Sequence, residues 1–420
     1  MRKILILTVA TMVTMNLMAQ DSTKLAEKPV DVKISGFIMN NMFFDTRRNV
    51  DAIDGMVLLY PLPEAKNSLD VDFNKFPNLT LLSFASRLIF GISGPNAFGA
   101  KTSGLIELDF TSRANSATVR FRQAWVKLNW EKTELLIGRT WHPICSMDVI
   151  PTVMAMSVGA PFQPFNRSEQ ISLTHKIGKV NLVFSALFQN DYTNNGPVGK
   201  SSTYQNNAIV PNLHAQVKYK TENAILGVGV DYKRLKPRTY VESPVDRTKM
   251  KTDAVIDCPS IVAYAQVTSG KLTISGKSIL AANISESLMT GAYGISSYNA
   301  LTGYEEYTNF RHFFVWSNVS YGDKLKYSLF TGYLKNLGAG ENIIAPFNSS
   351  PTVFGLGENI GQLIRITPTV SYTVGKTIIA LELEHNIAGY GTIDYMNKGK
   401  IVNTSSVNGT RILATMFYNF

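Results

Sequence analysis

The side chains most often used in catalysis or metal binding are sparse in this sequence, and their spacing favours neither role. None of the histidines forms an H-x-x-x-H or H-E-x-x-H pair, the spacings that present two ligands to one zinc ion. They are His142, His175, His214, His312 and His385. The chain also has no G-x-S-x-G nucleophile motif. We therefore expect no enzyme, no metal site and no cofactor.

Charge recognition is the second chemistry that the residues could carry. A guanidinium group is planar and permanently charged, so it suits carboxylate and phosphate groups. Cationic and acidic side chains recur on what we predict to be inward faces of strands. The candidates for lining a pore and its constriction are Arg87, Arg120, Arg122, Arg139, Glu107, Asp109, Lys218, Lys326 and Arg365. A mixed set of this kind would line an aqueous passage, provided that the strands enclose a common interior.

Composition narrows the classes of protein that could provide such an interior. The chain has 420 residues with a net charge of +10, 45% are hydrophobic and 17% are charged. That hydrophobic fraction excludes a disordered chain. The basic residues are dispersed, with no helix or aromatic-interleaved patch that would indicate nucleic-acid binding.

The N-terminal residues have the pattern of an export signal. Residues 1–20 combine basic Arg2 and Lys3 with a short apolar run and end at Ala19-Gln20. We predict a signal peptide over 1–20 and a short periplasmic segment over 21–30. No later apolar run reaches 18 residues, so an exported membrane protein of this kind would need β-strands to cross the bilayer.

Alternation of apolar and polar residues runs through the rest of the chain. In Lys179–Gln189, for example, Val180, Leu182, Phe184, Ala186 and Phe188 share one face. Sixteen such segments occur between residues 31 and 420, and short turns such as 178–179 and 375–376 alternate with long connections such as 45–77, 142–167 and 387–408. This pattern predicts an all-β fold, a 16-stranded antiparallel transmembrane β-barrel with long outer loops and short periplasmic turns.

In one segment, strict alternation places charged and apolar residues on the same face of the strand, which we call the parity problem. Within 117–131, strict alternation would place the apolar Val126, Leu128 and Trp130 on the same face as Arg120 and Arg122. Either a β-bulge shifts the register, or the arginines lie above the apolar band, or this wall faces another subunit.

The end of the chain and its third long loop add two expectations. The last segment finishes on Phe420, which we expect to close the barrel against the first strand. Residues 142–167 are rich in Pro and Met. The sequence leaves two positions open for this loop. It could pack inside the barrel as a constriction, or it could pack at a subunit interface. Cys145 lies in this loop and Cys258 just before the tenth strand, so a disulfide between them would tether the loop. The sequence leaves that pairing open.

The stretches ATVRFRQAWVKLNW and TELLIGRTWHP, over about residues 117–143, resemble the DcaP-like group of trimeric porins of Gram-negative bacteria, in a Bacteroidetes-type version. The resemblance implies a barrel over 31–420 in the cell outer membrane, a lumen-folded third loop and a homotrimer. Its partners would be outer-membrane lipid, small hydrophilic solutes and the barrel assembly machinery. Such proteins carry an N-terminal coiled coil, for which 21–30 is too short.

The sequence therefore predicts a porin that gives passive diffusion to small hydrophilic, preferentially anionic solutes. Two alternatives remain at this point. One is a hydrophobic-substrate channel of the fatty-acid type, which has fourteen strands, and the other is a non-conducting structural or adhesive surface barrel.

Overall fold

Sixteen antiparallel strands form one closed barrel in the computed structural model, which describes residues 29–111, 118–347 and 350–420. The predicted signal peptide and most of the 21–30 segment lie outside the described residues. The strands, in order, are β1 Asp31–Asp45, β2 Asn78–Leu82 with Arg87–Ser93, β3 Lys101–Asp109, β4 Arg120–Asn129, β5 Thr133–Trp141, β6 Arg167–Ile177, β7 Val180–Phe188, β8 Asn212–Lys220, β9 Ala224–Leu235, β10 Ile256–Ser269, β11 Leu272–Ala282, β12 Glu305–Gly322, β13 Leu325–Ala339, β14 Ile360–Val374, β15 Thr377–Asp394 and β16 Lys400–Asn419.

The fold class predicted from the alternation is confirmed, including the number of strands. Each strand pairs with its sequence neighbours, and β16 pairs with β1 from Phe37↔Asn419 to Asp45↔Arg411. Phe420 continues this ladder, since its backbone N–H donates to the carbonyl oxygen of Gly36 at 3.1 Å. A barrel closed in this way leaves no sheet edge with unpaired backbone groups.

Gly36 is required where the chain closes. A Cβ atom there would lie 2.2 Å from the carbonyl oxygen of Arg87 and 2.9 Å from the ring of Phe420. Backbone from β2 and the terminal side chain therefore occupy the space that any other residue would need.

The two faces of each strand differ as the sequence pattern indicates. On β7, Phe184 and Phe188 are exposed on the outside, whereas Ser185 and Leu187 are buried inside. On β1, Ile38, Met42 and Phe44 face outward, and Met39, Asn41 and Phe43 face inward. The outer surface is thus largely apolar, and the inner surface is mixed.

Several strands extend beyond the predicted bounds at the long-loop end. Residues 387–408 were predicted as a loop, but β15 continues to Asp394 and β16 starts at Lys400, so residues 395–399 alone form the turn. Ladder pairs from Ile387↔Asn408 to Asp394↔Lys400 hold this extension. The sequence pattern missed it because small and polar residues interrupt the alternation. Shorter hairpins decorate other loops, at Asn49–Ala52 with Val57–Pro61 and at Tyr240–Glu242 with Lys249–Lys251.

Two loops fold into the barrel, namely the first loop (residues 46–77) and the inner loop (residues 142–166). Val57, Leu59, Val149 and Phe162 from these loops are buried. They share one apolar cluster with inward-facing side chains of distant strands, among them Trp316 of β12 and Phe330 of β13. Burial of this apolar surface holds the loops inside.

A β-bulge resolves the parity problem in β4. Glu107 pairs with Gln123 and Leu108 with Phe121, which leaves Arg122 as the extra residue. Arg122 and Gln123 therefore both contact Glu107 in the interior, while Phe121 and Val126 are exposed outside. Of the alternatives that the sequence left open, a bulge is the one that occurs.

Among the described residues, none of the helices has the length and apolar character needed to span a bilayer.

Candidate functional site

The inner faces of β2, β3 and β4 carry a compact network of charges. Arg122 lies between both carboxylates, 2.9 Å from Glu107 and 2.6 Å from Asp109. Arg87 reaches Glu107 at 3.0 Å, and Arg120 reaches Asp109 at 2.9 Å. The structure thus brings together five of the residues singled out from the sequence, with three guanidinium groups facing two carboxylates.

Exposure to water differs sharply within this network. The side chains of Arg87 and Arg120 are 24% and 17% exposed, whereas those of Arg122, Glu107 and Asp109 are at most 4% exposed. The carboxylates therefore lie behind the guanidinium groups, and positive charge is what this part of the wall presents to the interior.

Arg139 of β5 lies at the end of the same wall and is balanced by acidic neighbours. Its guanidinium contacts Asp191 at 2.7 Å and Glu169 at 3.4 Å. The prediction of an inward face for Arg139 is wrong, because Arg139 pairs with Glu169, which in turn pairs with the outward-facing Phe188. Its surroundings are locally acidic.

Sequence reasoning missed Arg167, the first residue of β6. It is almost fully buried, donates to the Tyr192 hydroxyl at 2.7 Å, and its guanidinium carbon lies 4.8 Å from the centre of the Trp141 ring. Its Nε and Nη1 atoms have no hydrogen-bond partner among the described residues. The alternation gives no signal for it, because it would place Arg167 on the same face as the outward-facing Ile171 and Leu173.

The opposite wall, β14 and β15, holds the two inward loops. Arg365 donates to the Ala160 carbonyl of the inner loop at 2.7 Å and to the Leu58 carbonyl of the first loop at 2.9 Å, and pairs with Glu384 at 3.2 Å. Glu382 of β15 accepts from the backbone N–H of Ala155 at 3.0 Å. Arg365 is inward, as predicted, but it is covered by the loops.

Lys218 and Lys326 lie towards the short-turn end of the barrel. Lys218 and its neighbour Lys220 both contact Asp148 of the inner loop. Burial opposes ionisation of Asp148, but the two ammonium groups outweigh it and hold the pKa of this carboxyl below its usual range. Lys326 shares its inward side with Ser328, which donates to the Thr152 carbonyl of the inner loop at 2.6 Å.

The two cysteines are separate free thiols, so the tether considered from the sequence is not formed. Cys145 is buried in the cluster of the inner loop, whereas Cys258 belongs to a second cluster with Tyr293 and Phe354. Their nearest polar partners also differ, since the Cys145 thiol faces the Asn166 carbonyl and the Cys258 thiol faces Asn309.

These charges can bind and orient passing ions, and their geometry offers no nucleophile paired with a base. Of the histidines, His142 and His214 meet Asp231 in the interior. His214 and Asp231 pair directly across the β8–β9 hairpin, whereas the approach of His142 depends on the path of the inner loop and could not be predicted.

Comparison with solved structures identifies the fold. The crystal structure of the outer membrane channel DcaP of Acinetobacter baumannii superposes with a TM-score of 0.65 at 15% identity, over 96% of this chain and 100% of that one. An anion-selective porin from Comamonas acidovorans matches with a TM-score of 0.52 at 12% identity, over 93% and 100%. The trimer form of the outer membrane protein OmpT of Vibrio cholerae matches with a TM-score of 0.55 at 11% identity, over 94% and 100%.

No protein-family model and no curated protein matches the chain. At these low identities, the structural likeness establishes the architecture. The chain has the sixteen-stranded barrel fold of the DcaP-like and other outer-membrane porins.

Proposed function

We propose that this protein is an outer-membrane porin through which small hydrophilic solutes diffuse passively, with a preference for anions. The fold of a closed barrel with an apolar outer surface supports a location in the bilayer, since lipid can cover that surface and every backbone group of the wall is paired within the sheet.

The proposed anion preference rests on the arrangement of charges on β2–β4, where guanidinium groups lie in front of carboxylates. Arg87 and Arg120 are partly exposed to the interior, and their carboxylate partners Glu107 and Asp109 are buried behind them. A permeating ion would meet the guanidinium groups first. Cationic side chains at a narrow point favour anions over cations.

The inner loop serves in this proposal as the constriction. It crosses from β5 to contact Trp316, Arg365 and Glu382 on the far side of the barrel. The passage that remains would therefore run between this loop and the basic wall. The similar fold of an anion-selective porin supports the proposed preference for anions.

A homotrimer in the outer membrane, inserted by the barrel assembly machinery, is part of the same proposal. The trimer form of a structurally similar outer membrane protein supports it. Mass measurement of the native protein in detergent tests this part separately, and a monomeric mass would remove it.

Reversal potentials in a salt gradient test the selectivity. We expect the native channel to favour anions. The Arg87→Gln/Arg120→Gln double variant should shift clearly towards cations, because Arg122 is then the one cationic partner that Glu107 and Asp109 keep among the described residues. Arg247→Gln is the matched control, since Arg247 is an exposed loop residue. An unchanged potential in the double variant would contradict the proposed role of this wall.

The sixteen strands disfavour the fatty-acid type of channel, which has fourteen. A purely structural or adhesive barrel differs from a porin in conductance, so the absence of any channel activity would favour that alternative.

A further inference from the structure

Four buried polar side chains meet where the inner loop leaves the wall. His142 is the first residue after β5, Asn212 and His214 lie on β8, and Asp231 lies on β9. Each is at most 8% exposed. The charged network of β2–β4 does not include them, and they take no part in the proposed selectivity.

The atoms of this group have the separations of metal ligands. Asp231 Oδ2 lies 3.1 Å from His214 Nδ1 and 3.5 Å from His142 Nε2, and Asn212 Nδ2 lies 2.9 Å from the same His142 nitrogen. The candidate atoms of the two histidines and the aspartate all lie within 4.8 Å of one another. In a tetrahedral site with bonds of about 2.0–2.1 Å, neighbouring ligand atoms are about 3.3 Å apart.

Neighbouring side chains can orient His214 as a ligand. Its Nε2 atom lies 3.2 Å from the amide oxygen of Gln216, whose amide nitrogen donates to the Tyr264 hydroxyl at 2.8 Å. An Nε2–H donated to Gln216 leaves the lone pair on Nδ1, which faces Asp231. Supporting hydrogen bonds of this kind fix the tautomer of histidines that bind metals.

The contact between His142 and Asn212 brings two nitrogen atoms together. His142 Nδ1 accepts from the Ile144 N–H, so the proton of the neutral ring lies on Nε2 and faces the amide nitrogen of Asn212. Two donors then face each other, although the Asn212 amide nitrogen also donates to Asp231 Oδ1 at 3.2 Å. Asn212 Oδ1 is buried without a partner among the described residues. Rotation of this amide by half a turn would bring its oxygen, a possible metal ligand, into the space shared with His142 and Asp231.

We propose that His142, His214, Asp231 and Asn212 bind a first-row divalent metal ion, with zinc, cobalt or nickel as the class that two imidazoles and a carboxylate select. Glu286 partly offsets the positive charge of the nearby Lys233, with which it pairs at 2.6 Å. This inference does not depend on transport or on anion preference.

The metal would link the inner loop to the wall. For Nε2 to bind a cation, the His142 proton must move to Nδ1, and the Ile144 N–H then loses its acceptor. Binding would therefore alter the first turn of the inner loop, Pro143–Cys145, at the point where the loop enters the barrel.

Titration with Co²⁺ tests the proposal on the whole, tag-free protein in detergent and metal-free buffer. We expect saturable binding of one ion per chain, with the intense visible absorption of tetrahedral cobalt, and its loss on addition of Zn²⁺. His214→Ala and Asp231→Asn should abolish this spectrum, and Gln216→Leu should weaken binding by about 10–100-fold.

His175→Ala and His385→Ala are the matched controls, since these histidines hydrogen-bond to Thr133 and Thr410 outside the group. Both should bind Co²⁺ as the native protein does. Heat-modifiable migration on gels checks that each variant is folded. A native protein without the tetrahedral spectrum, or folded His214→Ala and Asp231→Asn variants that keep it, would overturn the proposal.

Discussion

The ring of Phe162 in the inner loop lies directly against the backbone of Gly332 on β13. A Cβ atom at Gly332 would approach the ring to 2.5 Å, and Phe162 is completely buried. The guanidinium carbon of Arg365 lies 5.6 Å from the centre of the same ring. The absence of a side chain at one position of the wall thus creates the space in which the inner loop is anchored.

Gly332→Ala should displace this anchor. The added methyl group cannot fit without moving the ring, and overpacking of this kind costs about 1–3 kcal/mol. We expect an inner loop that is more open to protease, and a changed single-channel conductance. Gly91→Ala is the control, because a Cβ there meets nothing closer than 3.8 Å. Identical behaviour of the two variants would contradict the anchoring role.

Arg365→Met should release both inward loops. It removes the bonds to the Ala160 and Leu58 carbonyls and leaves Glu384 buried without its partner, which typically costs about 3–5 kcal/mol. We expect earlier unfolding and larger, noisier channel currents. Adding Glu384→Gln should recover part of the stability, whereas Arg311→Met on the exposed side of β12 should change little. No recovery in the double variant would count against the ion pair.

The pairing of β1 with β16, which closes the barrel, contains a second buried ion pair. Arg411 of β16 binds both oxygens of Asp45 of β1 at 2.8 Å. Asp45→Asn and Arg411→Met should each strongly lower the temperature at which the barrel unfolds, as read from its migration on gels. In the double variant, this temperature should fall by less than the sum of the two single effects. Asp323→Asn is the control, because its pair with Lys271 is exposed and such pairs contribute at most about 1 kcal/mol. Strict additivity would show that the two charges act independently.

Both thiols should resist modification in the folded barrel. Burial raises the pKa of Cys145 to about 11, so its reactive thiolate is scarce at neutral pH, and Cys258 is equally enclosed. We expect no labelling by a hydrophilic maleimide at pH 7.5, and labelling of two thiols per chain after unfolding without reductant. Unfolded chains that stay unlabelled would instead reveal a disulfide.

Strand number and orientation could be predicted from the sequence, because the alternation of side chains is a local property. The faces of β7, with Phe184 outside and Ser185 inside, follow directly from it. The bulge at Arg122 could be suspected from a parity conflict but not placed, since it depends on which residue of β3 pairs with which of β4.

Interior contacts could not be predicted in the same way. Arg365 was assigned inward correctly, yet its partners at Leu58 and Ala160 come from two loops whose paths the sequence does not specify. Glu107 is instead covered by Arg87 and Arg122 of the neighbouring strands, a contact that depends on the register of β2, β3 and β4. His214 and Asp231 face each other across the β8–β9 hairpin, but His142 reaches them through the path of the inner loop.

Single-channel recording of the purified native protein in planar bilayers tests the central claim most directly. Stepwise, long-lived conductance that rises with salt concentration, with a reversal potential favouring anions, is the predicted result. A barrel that inserts into the bilayer and conducts no ions at any voltage would show that the two inward loops seal the interior, and would contradict the proposed transport.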